Sequence, residues 1–370
     1  MTKMEPREIN TTTLRKWLDT DKKVNIIDIR PAHERNEWHI PGSIHMDVQE
    51  QLKRNDQGAL KSIALDKGVP VVTVCAGGKS SLIASGFLQK AGYDAYSLQG
   101  GMKSWSLAWN TASVSFDNFE IIQFRRTGKG CLSYLVISGN EAMMFDASLP
   151  VEVYQKALVQ RKLTLKHAAD THIHADHLSR SKELADLFGI DPSMPANDKL
   201  SYSFIPVLDG TGYSIGDIKI KAIHTPGHTL ESTCFMIDGK VLLTGDTLFT
   251  NGVGRPDLKS SQEEATEKSK MLFRSLTKLM DLDKSVMLMP GHTNRPVAFD
   301  RQPIQSTLKE VVETTPLLKE SEEEFVQSLL NRIPNPPENY LKIVDKNISA
   351  NFTDISAADL EAGANRCAIS

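Results

Sequence analysis

The sequence predicts an α/β domain with a largely parallel sheet, followed by a larger sandwich of two sheets with helices outside. Three observations predict it. The first hundred residues alternate short apolar runs with helical text, the character changes after Trp109, and two β-rich passes with helical flanks follow. At 370 residues the chain exceeds one ordinary core, so two domains are expected.

In the first domain VNIIDIR (24–30) and VVTVC (71–75) read as buried strands, SSLIASGFLQKAG (80–92) as a helix stopped at Gly92, and YDAYSLQGG (93–101) as a further strand. TASVSFDN (111–118) is small and polar and reads as a linker, which places the divisions at 1–110, 111–117 and 118–370. Beyond it FEIIQFRR, CLSYLVIS and EAMMFDA are strand-like runs joined by short turns containing Gly or Asn. A second β-rich pass covers about 203–249, where Asp238 and Gly239 in MIDGKVLLTG mark a hairpin. Near the end, SEEEFVQSLLNRI (321–333) is an amphipathic helix with an acidic first turn, stopped by the prolines of IPNPPEN.

Composition narrows the function. With 40% hydrophobic and 24% charged residues and a net charge of -3, the chain has no basic footprint for nucleic acid. The N-terminal text MTKMEPREINTTTLRKWL lacks an apolar leader core, and no apolar run reaches the roughly eighteen residues needed to span a bilayer. A cytoplasmic protein without membrane or nucleic-acid partners is expected, acting on small molecules as a homo-oligomer. Cys75, Cys131, Cys234 and Cys367 have no paired spacing, so free thiols in a reducing compartment are expected.

THIHADH (171–177) places His172, His174, Asp176 and His177 within six positions, and alternate residues of a turning segment can aim two imidazoles at one point. His228 in HTPGH and His292 in MPGH extend the pattern to five of the ten histidines. Asp246 follows the apolar run of LLTGD and can emerge at a sheet edge as a carboxylate ligand.

HIHADH, HTPGH, GD and PGH, in that order after β-rich text, resemble the metallo-β-lactamase superfamily over roughly residues 118–370. The resemblance implies an αβ/βα sandwich with metal at one edge of the sheets. In its hydrolases, such as glyoxalase II, it implies two Zn or Fe ions: His172, His174 and His228 on one, Asp176, His177 and His292 on the other, Asp246 bridging. In its persulfide dioxygenases it implies one Fe(II) per chain on His172, His228 and Asp246, with His174, Asp176, His177 and His292 around it. GRPDL (254–258) is similar to the dioxygenase text and favours that branch. Arg255 is then expected to hold a substrate carboxylate, against the alternative of a loop ion pair with Asp257. Asn294 stands where glutathione-using relatives carry an aromatic, which leaves the thiol open among glutathione, coenzyme A and bacillithiol.

Residues 24–101 resemble a single-domain rhodanese through IIDIRPAHERNEWHIPGSIH, VCAGGKSS and YSLQGGM. Cys75 is the implied sulfur carrier, at a strand end before a loop whose N–H groups can stabilise a persulfide anion. Lys79, Ser80 and Ser81 are the implied donor-binding residues. Lys79 offers charge without a guanidinium fork, which leaves the donor's identity open. The expected chain is thus an α/β rhodanese domain followed by an αβ/βα metallo-β-lactamase sandwich. Its expected function is oxidation of a low-molecular-weight persulfide by O2 to sulfite and thiol, coupled to sulfur transfer with thiosulfate. His292 is counted with Cys75 and Arg255 among the catalytic residues. A dinuclear thioesterase and a sulfide-responsive sensor are the alternatives.

Overall fold

The structure, a computed structural model, describes residues 6–258, 260–363 and 365–369; the first five residues of the N-terminal stretch discussed above lie outside this range. The first domain is built on five strands in the order Glu8–Ile9, Ala95–Leu98, Val71–Val74, Asn25–Asp28, Ile44–His45, all parallel. Val71–Val74 is buried at every residue because helices cover both faces, the reason a run of consecutive apolar residues suits a parallel sheet. The helix Lys79–Lys90 starts immediately beyond the loop after Val71–Val74. That loop is possible because Gly78 sits at φ +90° and because a Cβ on Gly101 would meet the Cys75 carbonyl oxygen at 2.2 Å.

The second domain is a two-sheet sandwich. One sheet runs Ile205–Val207, Ser193–Pro195, Thr164–Ala169, Glu141–Phe145, Leu132–Ser138, Glu120–Arg125, Asn110–Ser115; the other runs Gly212–Ile215, Ile218–His224, Thr233–Ile237, Val241–Gly245, Met287–Pro290, Ser306–Thr307. Their facing sides make one apolar core, in which Phe145 and Phe235 meet at 4.8 Å between ring centres. Helices Val151–Gln160 and Ser181–Phe188 cover the outer face of the first sheet. Helices Gln262–Met280 and Glu322–Asn331 cover the second, giving the αβ/βα layering. The expected hairpin is present, with Asp238 and Gly239 both at positive φ between antiparallel strands.

The linker expected at 111–117 is corrected by the structure. Asn110–Ser115 pairs antiparallel with Glu120–Arg125, from Asn110↔Arg125 to Ser115↔Glu120. Its small polar residues alternate with buried Asn110 and Ala112, and Val114 packs on the core, so it is an edge strand with one wet face. The two domains are packed together. Trp38 Nε1 donates to the Thr127 carbonyl at 3.0 Å, and the buried Arg126 guanidinium donates to the Ser106 carbonyl at 2.7 Å. Among the described residues no helix is long and apolar enough to cross a membrane.

Candidate functional site

The metal-type residues lie at one edge of the sandwich because each follows the C-terminal end of a strand. His172–His177 form the loop after Thr164–Ala169, His228 follows Ile218–His224, Asp246 follows Val241–Gly245, and His292 follows Met287–Pro290. All are nearly sealed from solvent, at 1–3% exposure. His172, His228 and Asp246 form one group whose ligand atoms lie within 4.8 Å of one another. Asp246 Oδ2 is 3.8 Å from His172 Nε2 and 3.7 Å from His228 Nε2. His172 Nε2 and Asp246 Oδ2 are buried without a hydrogen-bond partner, which is the condition of atoms that hold a cation.

The second nitrogen of each imidazole is anchored. His228 Nδ1 bonds the Arg255 carbonyl at 2.7 Å, and His172 Nδ1 meets Thr171 Oγ1 at 3.0 Å, itself held by Asp146. His292 Nδ1 contacts Asp246 Oδ1 at 2.5 Å. Burial would raise the Asp246 carboxyl, but the His292 imidazole, with His172 and His228, holds it well below the usual carboxylate range. Burial and the neighbouring His174 push His172 well down, so it stands as the neutral imidazole a metal needs. These fixed rings and the orphaned lone pairs fit a metal ion.

The other members of THIHADH divide. His174 Nε2 pairs with Asp146 Oδ1 at 3.1 Å and its Nδ1 is unpartnered. Asp176, His177 and His292 instead gather with Cys131, a residue to which the sequence reading assigned no role. In that cluster the Asp176 carboxylate drives His292 well above the ordinary imidazole range despite burial, and is itself held low by His292 and His177. Asn365 and Asn347, also unanticipated, hold the loop: Asn365 Nδ2 donates to Asp176 Oδ2 at 2.9 Å, and Asn347 Nδ2 to the carbonyls of His174 and His177 at 2.8 Å each.

Arg255 requires a correction. It is fully buried, and its guanidinium makes two bonds to Asp257, at 2.8 and 2.7 Å, and three to the carbonyls of Asn335, Arg366 and Pro334. All five donors are spent, so no fork remains for a substrate carboxylate. The residue instead fixes the chain whose carbonyl orients His228. Asn294 is exposed and pairs with Asn251; neither it nor Arg255 lines the cavity at the metal edge. That cavity, of about 840 Å³, contains His228 and has Ile173, Leu230, Met271 and Tyr340 in its walls, with Lys268 as a partly buried cation that the sequence reading missed.

In the first domain the Cys75 sulfur lies in a nest. Gly78 N donates to it at 3.1 Å and Ser81 N at 3.4 Å, and Ser81 Oγ lies 3.3 Å away. Ser80 is buried, whereas Lys79 is exposed at the helix start. Beside this loop a cavity of about 320 Å³ is lined by Arg30, Trp38, Gly77 and Lys103 and, from the second domain, by Gly128, Ala362 and Gly363. Arg30 is committed to Asp28, with bonds at 3.0 and 2.7 Å.

Fold and site therefore define a metal-binding αβ/βα sandwich preceded by a parallel α/β domain with a cradled cysteine. Residues 10–108 match the rhodanese-like domain and residues 126–292 match the metallo-beta-lactamase superfamily, so the first segment is similar to the one and the second to the other. Hydroxyacylglutathione hydrolase of Brucella ovis is 35% identical over 166 residues, a match that covers 42% of this chain and 60% of the hydrolase, less than two thirds of its length. An uncharacterized protein of Mycobacterium leprae is 28% identical over 186 residues, 42% of this chain and 83% of that protein. Among solved structures, a metallo-beta-lactamase from Staphylococcus aureus has 28% identity and a TM-score of 0.57, over 64% of this chain and 74% of that one. ETHE1 from Myxococcus xanthus has 25% identity and a TM-score of 0.55, over 62% of this chain and 98% of its own.

Proposed function

We propose that the chain is an Fe(II)-dependent persulfide dioxygenase with a sulfurtransferase domain. The observation that carries this reading is the convergence of two neutral-type imidazoles and one carboxylate, His172, His228 and Asp246, of which His228 lines a roomy cavity. Two histidines and a carboxylate on one face suit non-haem Fe(II), with positions left for substrate and O2. The likeness to ETHE1 and the Cys75 nest, which prepares the chain for sulfane sulfur, support the same reading.

The balanced reaction is persulfide plus O2 plus water to thiol plus sulfite and two protons. Fe(II), when bound, supplies the redox chemistry with O2. The chain supplies the rest: His292 and the Arg255 carbonyl hold Asp246 and His228 in place, and Ile173, Leu230 and Met271 give the cavity an apolar wall. Lys268, whose ammonium donates to Ser260 Oγ at 2.9 Å, and Lys199 are cations of the cavity wall available to an acidic thiol substrate. At Cys75 the thiolate attacks the sulfane sulfur of thiosulfate, the S–S bond breaks, and sulfite leaves. A thiol then takes the outer sulfur from the Cys75 persulfide and regenerates the thiolate.

Separation of the two sites tests the reading. Asp246→Ala is expected to abolish iron retention and O2 uptake while thiosulfate sulfurtransfer continues; Cys75→Ser is expected to do the reverse with added glutathione persulfide. Loss of O2 uptake in Cys75→Ser would show that Cys75 belongs to the dioxygenase step, against the proposal.

A further inference from the structure

We propose that the second domain completes the sulfurtransfer site of Cys75: thiosulfate, a small sulfur oxyanion, binds in the cavity at the domain seam, held by Lys103 and walled by Gly128, Ala362 and Gly363. This goes beyond the oxidation at the metal edge and rests on the sulfurtransfer reading of Cys75. The first domain supplies one side of the cavity through Ala76 and Gly77, which directly follow Cys75. Both are exposed, whereas Cys75 itself is 3% exposed. A ligand in this space therefore touches the Cys75 loop on one side and the second domain on the other.

The wall from the second domain is fixed in place. Gly128 is pressed onto the first domain, where a Cβ would meet the Trp105 carbonyl oxygen at 1.8 Å. Lys129 Nζ donates to the carbonyls of Glu361 at 2.8 Å and Gly363 at 3.4 Å, which ties the strip holding Ala362 to the residue after Gly128. Arg366 Nη2 donates across the seam to Glu37 Oε1 at 3.1 Å. At Gly363 a Cβ would meet nothing within 4 Å, so the space beside the strip is open.

Charge identifies the ligand. When the Cys75 thiolate attacks the outer sulfur of thiosulfate, the S–S electron pair leaves with sulfite. Thiolate plus dianion become persulfide anion plus sulfite dianion, and no proton moves. A dianion brought to a thiolate needs a cation close by. Arg30 lines the cavity but is committed to Asp28. Lys103 is better placed: its backbone N–H donates to the Ala76 carbonyl at 3.0 Å, and that of Met102 to the Cys75 carbonyl at 2.8 Å. Its helix, Gly101–Trp105, is thus docked on the Cys75 loop. The Lys103 ammonium pairs with Asp359 of the second domain, both side chains being about half exposed, a pair weak enough for a ligand anion to replace. Glu34 and Glu37 also line the cavity, and Arg366 meets the charge of Glu37, so Lys103 carries the attraction.

Two readouts on the full chain test this, one with turnover and one without. In sulfurtransfer from thiosulfate to cyanide, which takes the outer sulfur as thiocyanate, Lys103→Gln and Ala362→Leu are each expected to raise KM for thiosulfate about three- to fivefold, with kcat within about twofold. Asp359→Asn releases Lys103 from its counter-charge and is expected to lower KM, a gain that misfolding cannot produce. Without turnover, Cys75 is alkylated by anionic iodoacetate or neutral iodoacetamide, and the two rates are compared from the mass of its peptide. The iodoacetate-to-iodoacetamide ratio is expected to fall in Lys103→Gln and to rise in Asp359→Asn. A chain inactive with thiosulfate whose ratios still follow this order would support the anion site and sink the sulfurtransfer reading instead. Unchanged KM in Lys103→Gln and Ala362→Leu, or ratios indifferent to Lys103 and Asp359, would overturn the proposal.

Discussion

At the residue scale the site depends on buried side chains that hold its ligands in place. Arg255 is sealed, with its whole hydrogen-bonding capacity used. Arg255→Ala leaves Asp257 unpaired and frees three carbonyls, and is expected to cost about 3–5 kcal/mol in urea unfolding. Arg255→Lys is expected to recover only part of it, because an ammonium cannot make the fork. A role in holding substrate would instead raise KM with stability unchanged. His177 gives a pH test: Asp176 and Cys131 outweigh burial and raise it from 6.5 to about 10 in the metal-free protein. A raised value means that the pairing stabilises fully below pH 6.5 and is lost as pH rises through about 10. The stability difference between the metal-free protein and its His177→Gln variant should therefore shrink across that window; a difference constant with pH would contradict the pairing. The histidines were legible because their spacing is local. Cys131 was not, because CLSYLVIS reads as core text and its partners stand 45 and 161 positions downstream, at Asp176 and His292. Nor was the fate of Arg255, whose carbonyl partners lie about 80 to 111 residues along the chain.

At the element scale, the strands of apolar text and the hairpin at Asp238 and Gly239 were readable from alternation and turn chemistry. Asn110–Ser115 was not, since Thr, Ser and Asn favour turns locally and only the register with Glu120–Arg125 makes them a strand. Phe116 and Phe119 close the turn with stacked rings 4.3 Å apart. Ala112 is 3% exposed on the inner side of this strand. Ala112→Asp is thus expected to cost about 2–3 kcal/mol by burying an unpaired charge, whereas a free linker would tolerate it within about 0.5 kcal/mol. Thermal unfolding of the full chain decides.

At the scale of the whole molecule, both sites share one strip of chain. Ala362 and Gly363 wall the cavity beside Cys75, and a few residues on, Asn365 bonds Asp176 at the metal edge. Glu361 fastens the strip: its carboxylate is 2.6 Å from the sealed Arg126 guanidinium and accepts from Leu178 N at 2.7 Å. Glu361→Gln leaves Arg126 buried without its counter-charge, and is expected to cost about 3–5 kcal/mol and to loosen both sites together. Independent sites would lose neither metal nor sulfurtransfer. That a cysteine domain precedes a metal sandwich was legible, because each carries its own local motifs. The seam was not, because Trp38, Arg126 and Glu361 acquire meaning only when the domains meet.

The central claim is that the triad of His172, His228 and Asp246 serves oxidation. It is tested most directly by metal analysis of the purified chain together with an oxygen electrode and glutathione persulfide. The account predicts about one iron per chain and O2 uptake matched by sulfite release. Two like metals per chain, hydrolysis of S-lactoylglutathione and no O2 uptake would contradict it.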